Sequence, residues 1–191
     1  MPFAAGLTPA GARLSAGWAV TLPSEAEWEK AARGGIEIPG NALCATLADG
    51  FVPPQHALQA NPQAQRIYPW GDTWNPERTN ADEDIGQTTT PGCFSLGRSP
   101  LGCEDMAGNV WEWTRSLWGK DWDKPEFGYP YDPSDVQREN LDAPDEVRRV
   151  VRGGSWYLLR DLARCAVRLR IPPDRWLDSG FRVLLRRSPV S

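Results

Sequence analysis

The side chains best suited to act on another molecule lie in the last third of the chain, between Arg152-Gly-Gly-Ser-Trp156 and Gly180-Phe-Arg-Val183. There Tyr157, Leu158, Leu159, Leu162, Leu169, Ile171 and Leu177 are interleaved with Arg160, Arg164, Arg168, Arg170 and Arg175. The apolar residues keep neither the alternation of a strand nor the repeat of a helix, so they do not define one buried face. A fixed frame around such an insert reads as a binding surface. The apolar residues would supply a patch, and Arg160 or Arg175 would anchor a carboxylate or phosphate. Metal chemistry of the zinc type is not expected. Cys44, Cys93, Cys103 and Cys165 form no Cys-x-x-Cys pair, and His56 is the single histidine.

The elements that must carry this segment are short. Ser24 and Glu27 make a capping box ahead of Trp28, Ala31 and Ala32, and Gly34-Gly35 closes the same run. Glu25, Glu27 and Glu29 sit at the positive end of that helix, Lys30 and Arg33 at the negative end. Asn109–Thr114, Val147–Arg152 and Phe181–Leu185 read as strands. Residues 1–20 read as poorly structured, and 36–66, 79–105 and 119–147 as loops. These elements predict an α+β domain over 21–191, with the helix packed through Trp28 on a small twisted antiparallel sheet and the function carried by the loops.

Composition agrees with one domain: 191 residues with 18 Gly, 18 Pro and 10 Trp are too aromatic for disorder and too rich in Gly and Pro for a bundle. Net charge is −4, yet residues 148–191 hold eleven Arg against three Asp, so +8 faces −12 upstream. A basic end can mean nucleic acid or an anionic ligand, but arginines paired with upstream acidic loops is the simpler account, and no nucleic-acid partner is expected. No apolar run approaches the ~20 residues of a membrane span. The N-terminal Met-Pro-Phe-Ala-Ala-Gly-Leu lacks the pattern of a secretory signal. A cytoplasmic or phage-borne location is the expectation, with the thiols reduced, although Cys93 and Cys103 could pair in an oxidising compartment.

Five motifs occur in order: Leu22-Pro-Ser-Glu-Ala-Glu-Trp-Glu-Lys-Ala-Ala-Arg-Gly-Gly35, Tyr68-Pro-Trp-Gly-Asp72, Asp105-Met-Ala-Gly-Asn-Val-Trp-Glu-Trp-Thr114, Arg152-Gly-Gly-Ser-Trp156 and Gly180-Phe-Arg-Val183. Together they resemble the formylglycine-generating enzyme (sulfatase-modifying factor) family, over about residues 18–185. The resemblance implies a C-type-lectin-like fold, here abbreviated at its N-terminus. That is either a minimal variant or a domain whose missing edge another chain supplies. The sulfatase-activating members bind copper through two cysteines five positions apart. Here Cys165 holds the second position and Arg160 the first, and one thiolate cannot replace two at a soft Cu(I) site, so no copper is expected. Cys165 is then expected to be a small core residue. The family's calcium motifs imply one set at Asp105, Gly108, Val110 and Glu112, and a weaker one at Asn80, Ala81, Asp84 and Gly86. Hydrogen bonding from loop amides or arginine is the alternative use of those carboxylates.

The same fold includes the variable proteins of diversity-generating retroelements, whose C-terminal segment is rewritten at Asn codons by adenine-directed mutagenesis. The segment 153–183 is similar in layout. Tyr157, Leu158, Leu159, Leu162, Leu169, Ile171, Pro172, Arg175, Leu177, Asp178 and Ser179 would be the rewritten surface, and each is reachable from an Asn codon by changing adenines alone. Trp156, Cys165, Trp176 and Phe181 would lie buried beneath it. The resemblance therefore implies a non-catalytic protein that binds an unidentified protein or small molecule. An oxidase with an atypical single-cysteine site and an interaction module of a larger signalling system are the alternatives.

Overall fold

The computed structural model describes residues 17–40, 57–82, 84–172 and 178–187. In chain order the elements are β1 (Trp18–Thr21), α1 (Glu25–Arg33), β2 (Glu37–Pro39), β3 (Leu58–Ala60), β4 (Trp111–Gly119), β5 (Arg148–Arg152), β6 (Leu169–Ile171), β7 (Ser179–Phe181) and β8 (Leu184–Arg187). The helix starts where its capping box requires. The Ser24 hydroxyl accepts from the Glu27 N–H at 3.1 Å, and the Glu27 carboxylate accepts from the Ser24 N–H at 2.7 Å. Gly34, at φ +89°, ends it in the left-handed region. Trp28 and Ala32 are fully buried, with Ala31 packed beside them.

Of the three strands expected to meet, β4 and β5 share one sheet, in the order β6-β5-β4-β7, and the third joins it only through Phe181 at the end of β7. It is not purely antiparallel: β4 pairs antiparallel with β5 but parallel with β7. The strand expected at Phe181–Leu185 is divided. Its first part pairs with β4, and its second, as β8, pairs with β1. Between the two parts Arg182 turns its guanidinium onto the Glu112 carboxylate, both nitrogens at 2.5 Å. β1 places residues 18–20 in a strand where a poorly structured segment was expected, while 1–16 lie outside the described residues; the β2–β3 pair lies in a stretch expected to be loop.

α1 docks through Trp28, as expected. Its indole N–H donates to Glu112 on β4 at 2.6 Å, and the Arg152 guanidinium of β5 lies 5.3 Å from its ring centre. Two apolar clusters result. Trp28, Ala32, Met106 and Cys165 fill the space under the helix, and Trp111, Val151 and Ile171 fill one face of the sheet. Part of the basic end is paired with upstream acids: Arg152, Arg168, Arg170 and Arg182 each reach a carboxylate. Arg168 and Arg138 converge on the fully buried Glu25, Arg152 reaches Glu29 at 2.6 Å, and Arg182 holds Glu112.

Candidate functional site

The turn after β5 begins with two glycines that no other residue could replace without strain. Gly154 has φ +77°, and a Cβ there would stand 3.0 Å from the Ala163 backbone. The chain therefore doubles back tightly, and main-chain bonds hold the segment beyond the turn. The Trp156 N–H donates to the Asn109 carbonyl at 3.0 Å, the Leu158 N–H to Ser155 at 3.2 Å, and the Leu162 N–H to Leu159 at 2.9 Å. Asp82 ties the turn to the neighbouring loop. Its N–H donates to the Leu158 carbonyl at 3.1 Å, and its carboxylate accepts from the Arg160 N–H at 2.6 Å. Sequence reasoning missed Asp82 because a loop carboxylate carries no spacing signal, and its left-handed φ of +61° shows only in three dimensions.

Tyr157 and Leu159 project from this frame, 55% and 72% exposed. With Asp82 and Leu158 they border a hollow of about 420 Å³. The other expected surface residues divide. Leu158, Leu162 and Leu169 pack in part against the Trp111 cluster, and Ile171 is a core residue at 7% exposure because β6 turns it inward beside Val151. Asp178 and Ser179 serve the frame: the Asp178 carboxylate accepts from the Ser155 hydroxyl at 2.7 Å, and Ser179 pairs with Trp111. Pro172 is half-buried. Arg175 and Leu177, with Trp176, lie outside the described residues, as do Cys44 and His56. Of the residues expected beneath the surface, Cys165 is fully buried, Trp156 is half-buried, and Phe181 is 64% exposed because the short β7 places it at the sheet edge.

The two oxygen-rich sets differ in what they leave free. The Glu112 carboxylate is taken by Arg182 and the Trp28 indole, and Asp105 accepts from the Gly92 N–H at 2.7 Å. These bonds are the hydrogen-bonding use that stood as the alternative to a cation at this set. Gly108 is fixed for another reason: a Cβ there would stand 2.2 Å from the Asn80 carbonyl oxygen. Asn80, in the second set, is buried, and its Nδ2 donates to the Gln87 carbonyl at 2.9 Å while its Oδ1 has no partner. Ala81 is buried beside it, and Asp84 and Gly86 are exposed. Among the described residues no group of three or more His, Cys, Asp or Glu side chains converges to hold a metal ion.

Burial pushes the Cys165 thiol up to about 12, against the pull of Arg33 and Arg152. A thiol so placed stays protonated and inaccessible, whereas Cys93 is exposed. Iodoacetamide at pH 8 is accordingly expected to label Cys93 in the folded protein and Cys165 only after denaturation. Peptide mass mapping reads both sites, and rapid native labelling of Cys165 would show an open route to its sulfur.

A curled mixed sheet, one docked helix and long loops ending in a buried Arg-Gly-Gly frame define the C-type-lectin-like fold of the formylglycine-generating type. Residues 7–187 match the Sulfatase-modifying factor enzyme 1-like domain, and the chain belongs to that family. Over 180 residues it is 34% identical to the serine/threonine-protein kinase pkn1 of Chlamydia pneumoniae, a match covering 93% of this chain and 23% of the kinase. It is 28% identical over 177 residues to the inactive C-alpha-formylglycine-generating enzyme 2 of Bos taurus, covering 84% and 42% of the two chains. Among solved structures, Treponema denticola variable protein 1 superposes with a TM-score of 0.56 at 25% identity, over 88% of this chain and 48% of that one. The chain thus spans less than half the length of each of these relatives. Among the described residues no helix is long and apolar enough to cross a membrane.

Proposed function

We propose that this chain is a non-catalytic binding module that presents Tyr157 and Leu159 to a partner, in the manner of a diversity-generating retroelement variable protein. One observation carries the reading: main-chain hydrogen bonds and a glycine turn hold the segment, so its tip side chains are free to change. The likeness to the variable protein of Treponema denticola and the adenine accessibility of the tip codons support it. The buried Cys165, with Arg160 exposed where a second thiol would be needed, argues against the oxidase alternative. Calcium, on this reading, belongs to the set around Asn80, whose Oδ1 is spare, and is structural.

Replacing Tyr157 and Leu159 together by serine is expected to change the unfolding free energy by no more than about 0.5 kcal/mol per site. Urea denaturation checks this, and a loss several times larger would mean that the tip side chains hold the turn. For the retroelement itself, a near-copy of the DNA encoding residues 153–183, differing almost only at adenines and lying beside a reverse transcriptase gene, is expected. Its absence would leave a binding module without diversification. A signalling module is the second reading, favoured by the 34% identity to part of a chlamydial kinase.

A further inference from the structure

A second hollow, of about 330 Å³, shares no lining residue with the one beside Tyr157; Arg33, Ile67, Arg164, Ala166 and Val167 line it. Its charge is not balanced from within. The Arg33 Nε lies 3.4 Å from the Glu29 carboxylate, but the same carboxylate also takes Arg152 at 2.6 Å and the Tyr129 hydroxyl at 3.1 Å. One carboxylate therefore serves two guanidinium groups. Arg164 donates its Nε to the Asp161 carbonyl at 2.7 Å, and among the described residues no carboxylate lies within ion-pairing distance of it. Arg66, next to Ile67, is itself buried and, among the described residues, donates to the uncharged oxygens of Gln63, Pro69 and Asn61. The rest of the lining is aliphatic, with Ile67 40% exposed.

We propose that this hollow binds a small monocarboxylate with a short aliphatic body, its carboxylate between Arg33 and Arg164 and its body against Ile67 and Val167. Guanidinium groups pair with carboxylates through parallel N–H bonds, and the Nε contact of Arg164 fixes that side chain while leaving its terminal nitrogens to donate. The partial neutralisation of Arg33 by Glu29 matches one negative charge better than two. The volume lies at the lower end of the roughly 300–1,000 Å³ of small-molecule sites, so the body is short. A free acid and the C-terminal carboxylate of a peptide offer the same chemistry.

Methyl-resolved NMR titration with N-acetyl-leucine tests this. Saturable shifts are expected at the Ile67 and Val167 methyls, with none from N-acetyl-leucinamide and none from inorganic phosphate. Arg164→Gln is expected to weaken binding at least tenfold while leaving methyls distant from the hollow in place, and Arg164→Lys to restore part of it. The Tyr157→Ser/Leu159→Ser variant is expected to bind as the parent does, which separates this site from the proposed tip. If acetyl-Gly-Gly-Leu with a free carboxylate binds as well as N-acetyl-leucine, the source is a chain terminus; if only the free acid binds, it is a small acid. No saturable shift at millimolar ligand, equal binding by the amide or phosphate, or indifference to Arg164→Gln would overturn the proposal.

Discussion

Replacing Glu25 by alanine is expected to lower the free energy of unfolding by about 3–5 kcal/mol, the cost of removing one partner from a buried ion pair. Glu25 is fully buried, and its oxygens accept from the Arg168 Nε and Nη2 at 2.5 and 2.8 Å and from Arg138 at 3.3 Å. Arg138 is almost equally buried, so without the carboxylate its charge would stay inside with the Gly128 carbonyl for a neutral partner. Arg168→Ala should cost less, because that side chain is partly exposed and Glu25 would keep Arg138. Urea unfolding of the two variants gives the comparison. A loss below about 1 kcal/mol for Glu25→Ala would show the guanidiniums escaping to solvent through local opening.

The second large effect is expected at Trp28. Alanine there should cost about 3–5 kcal/mol, as truncation of buried aromatics does. The ring is fully buried, fills the cluster with Met106 and Cys165, and lies against Gly153, where a Cβ would come within 3.2 Å of it. Phenylalanine separates packing from hydrogen bonding. It keeps most of the volume but loses the indole N–H to Glu112, whose carboxylate remains held by Arg182. Trp28→Phe is therefore expected to cost about 1–2 kcal/mol. Equal losses for the two variants, by thermal or urea unfolding, would place the whole contribution of Trp28 in the hydrogen bond.

Local chemistry made α1 legible from its residues. Ser24, Glu27 and Gly34 are start and stop signals whose partners lie within a few positions, and the structure uses each of them. β5 and the first part of β4 were legible for a related reason, since Trp111, Trp113 and Thr114 and the Val150–Val151 pair favour a strand, whereas the continuation of β4 from Arg115 to Gly119 was not read. β2, β3, β6 and β7 span three residues each, too few to show a period, and their existence depends on partners tens of residues away. The same limit applies at the site. Leu159 and Ile171 are alike in sequence terms, yet one is exposed on the turn and the other is inside, because β6 pairs with β5 between them. The engagement of Glu112 by Arg182 was equally hidden. Seventy positions separate the two, and only the sheet brings them together.

The pairing of β1 with β8 sets Trp18 opposite Arg187. Residues facing each other across an antiparallel pair have Cα atoms about 4.5–5.5 Å apart. Residues 18–187 are therefore a detour that begins and ends at nearly one point. Spliced into a host polypeptide at an exposed loop, they would hardly change the distance between the host residues on either side. A permuted form, with the paired ends bridged by a short linker and new termini opened in another surface loop, should keep the same sheet order.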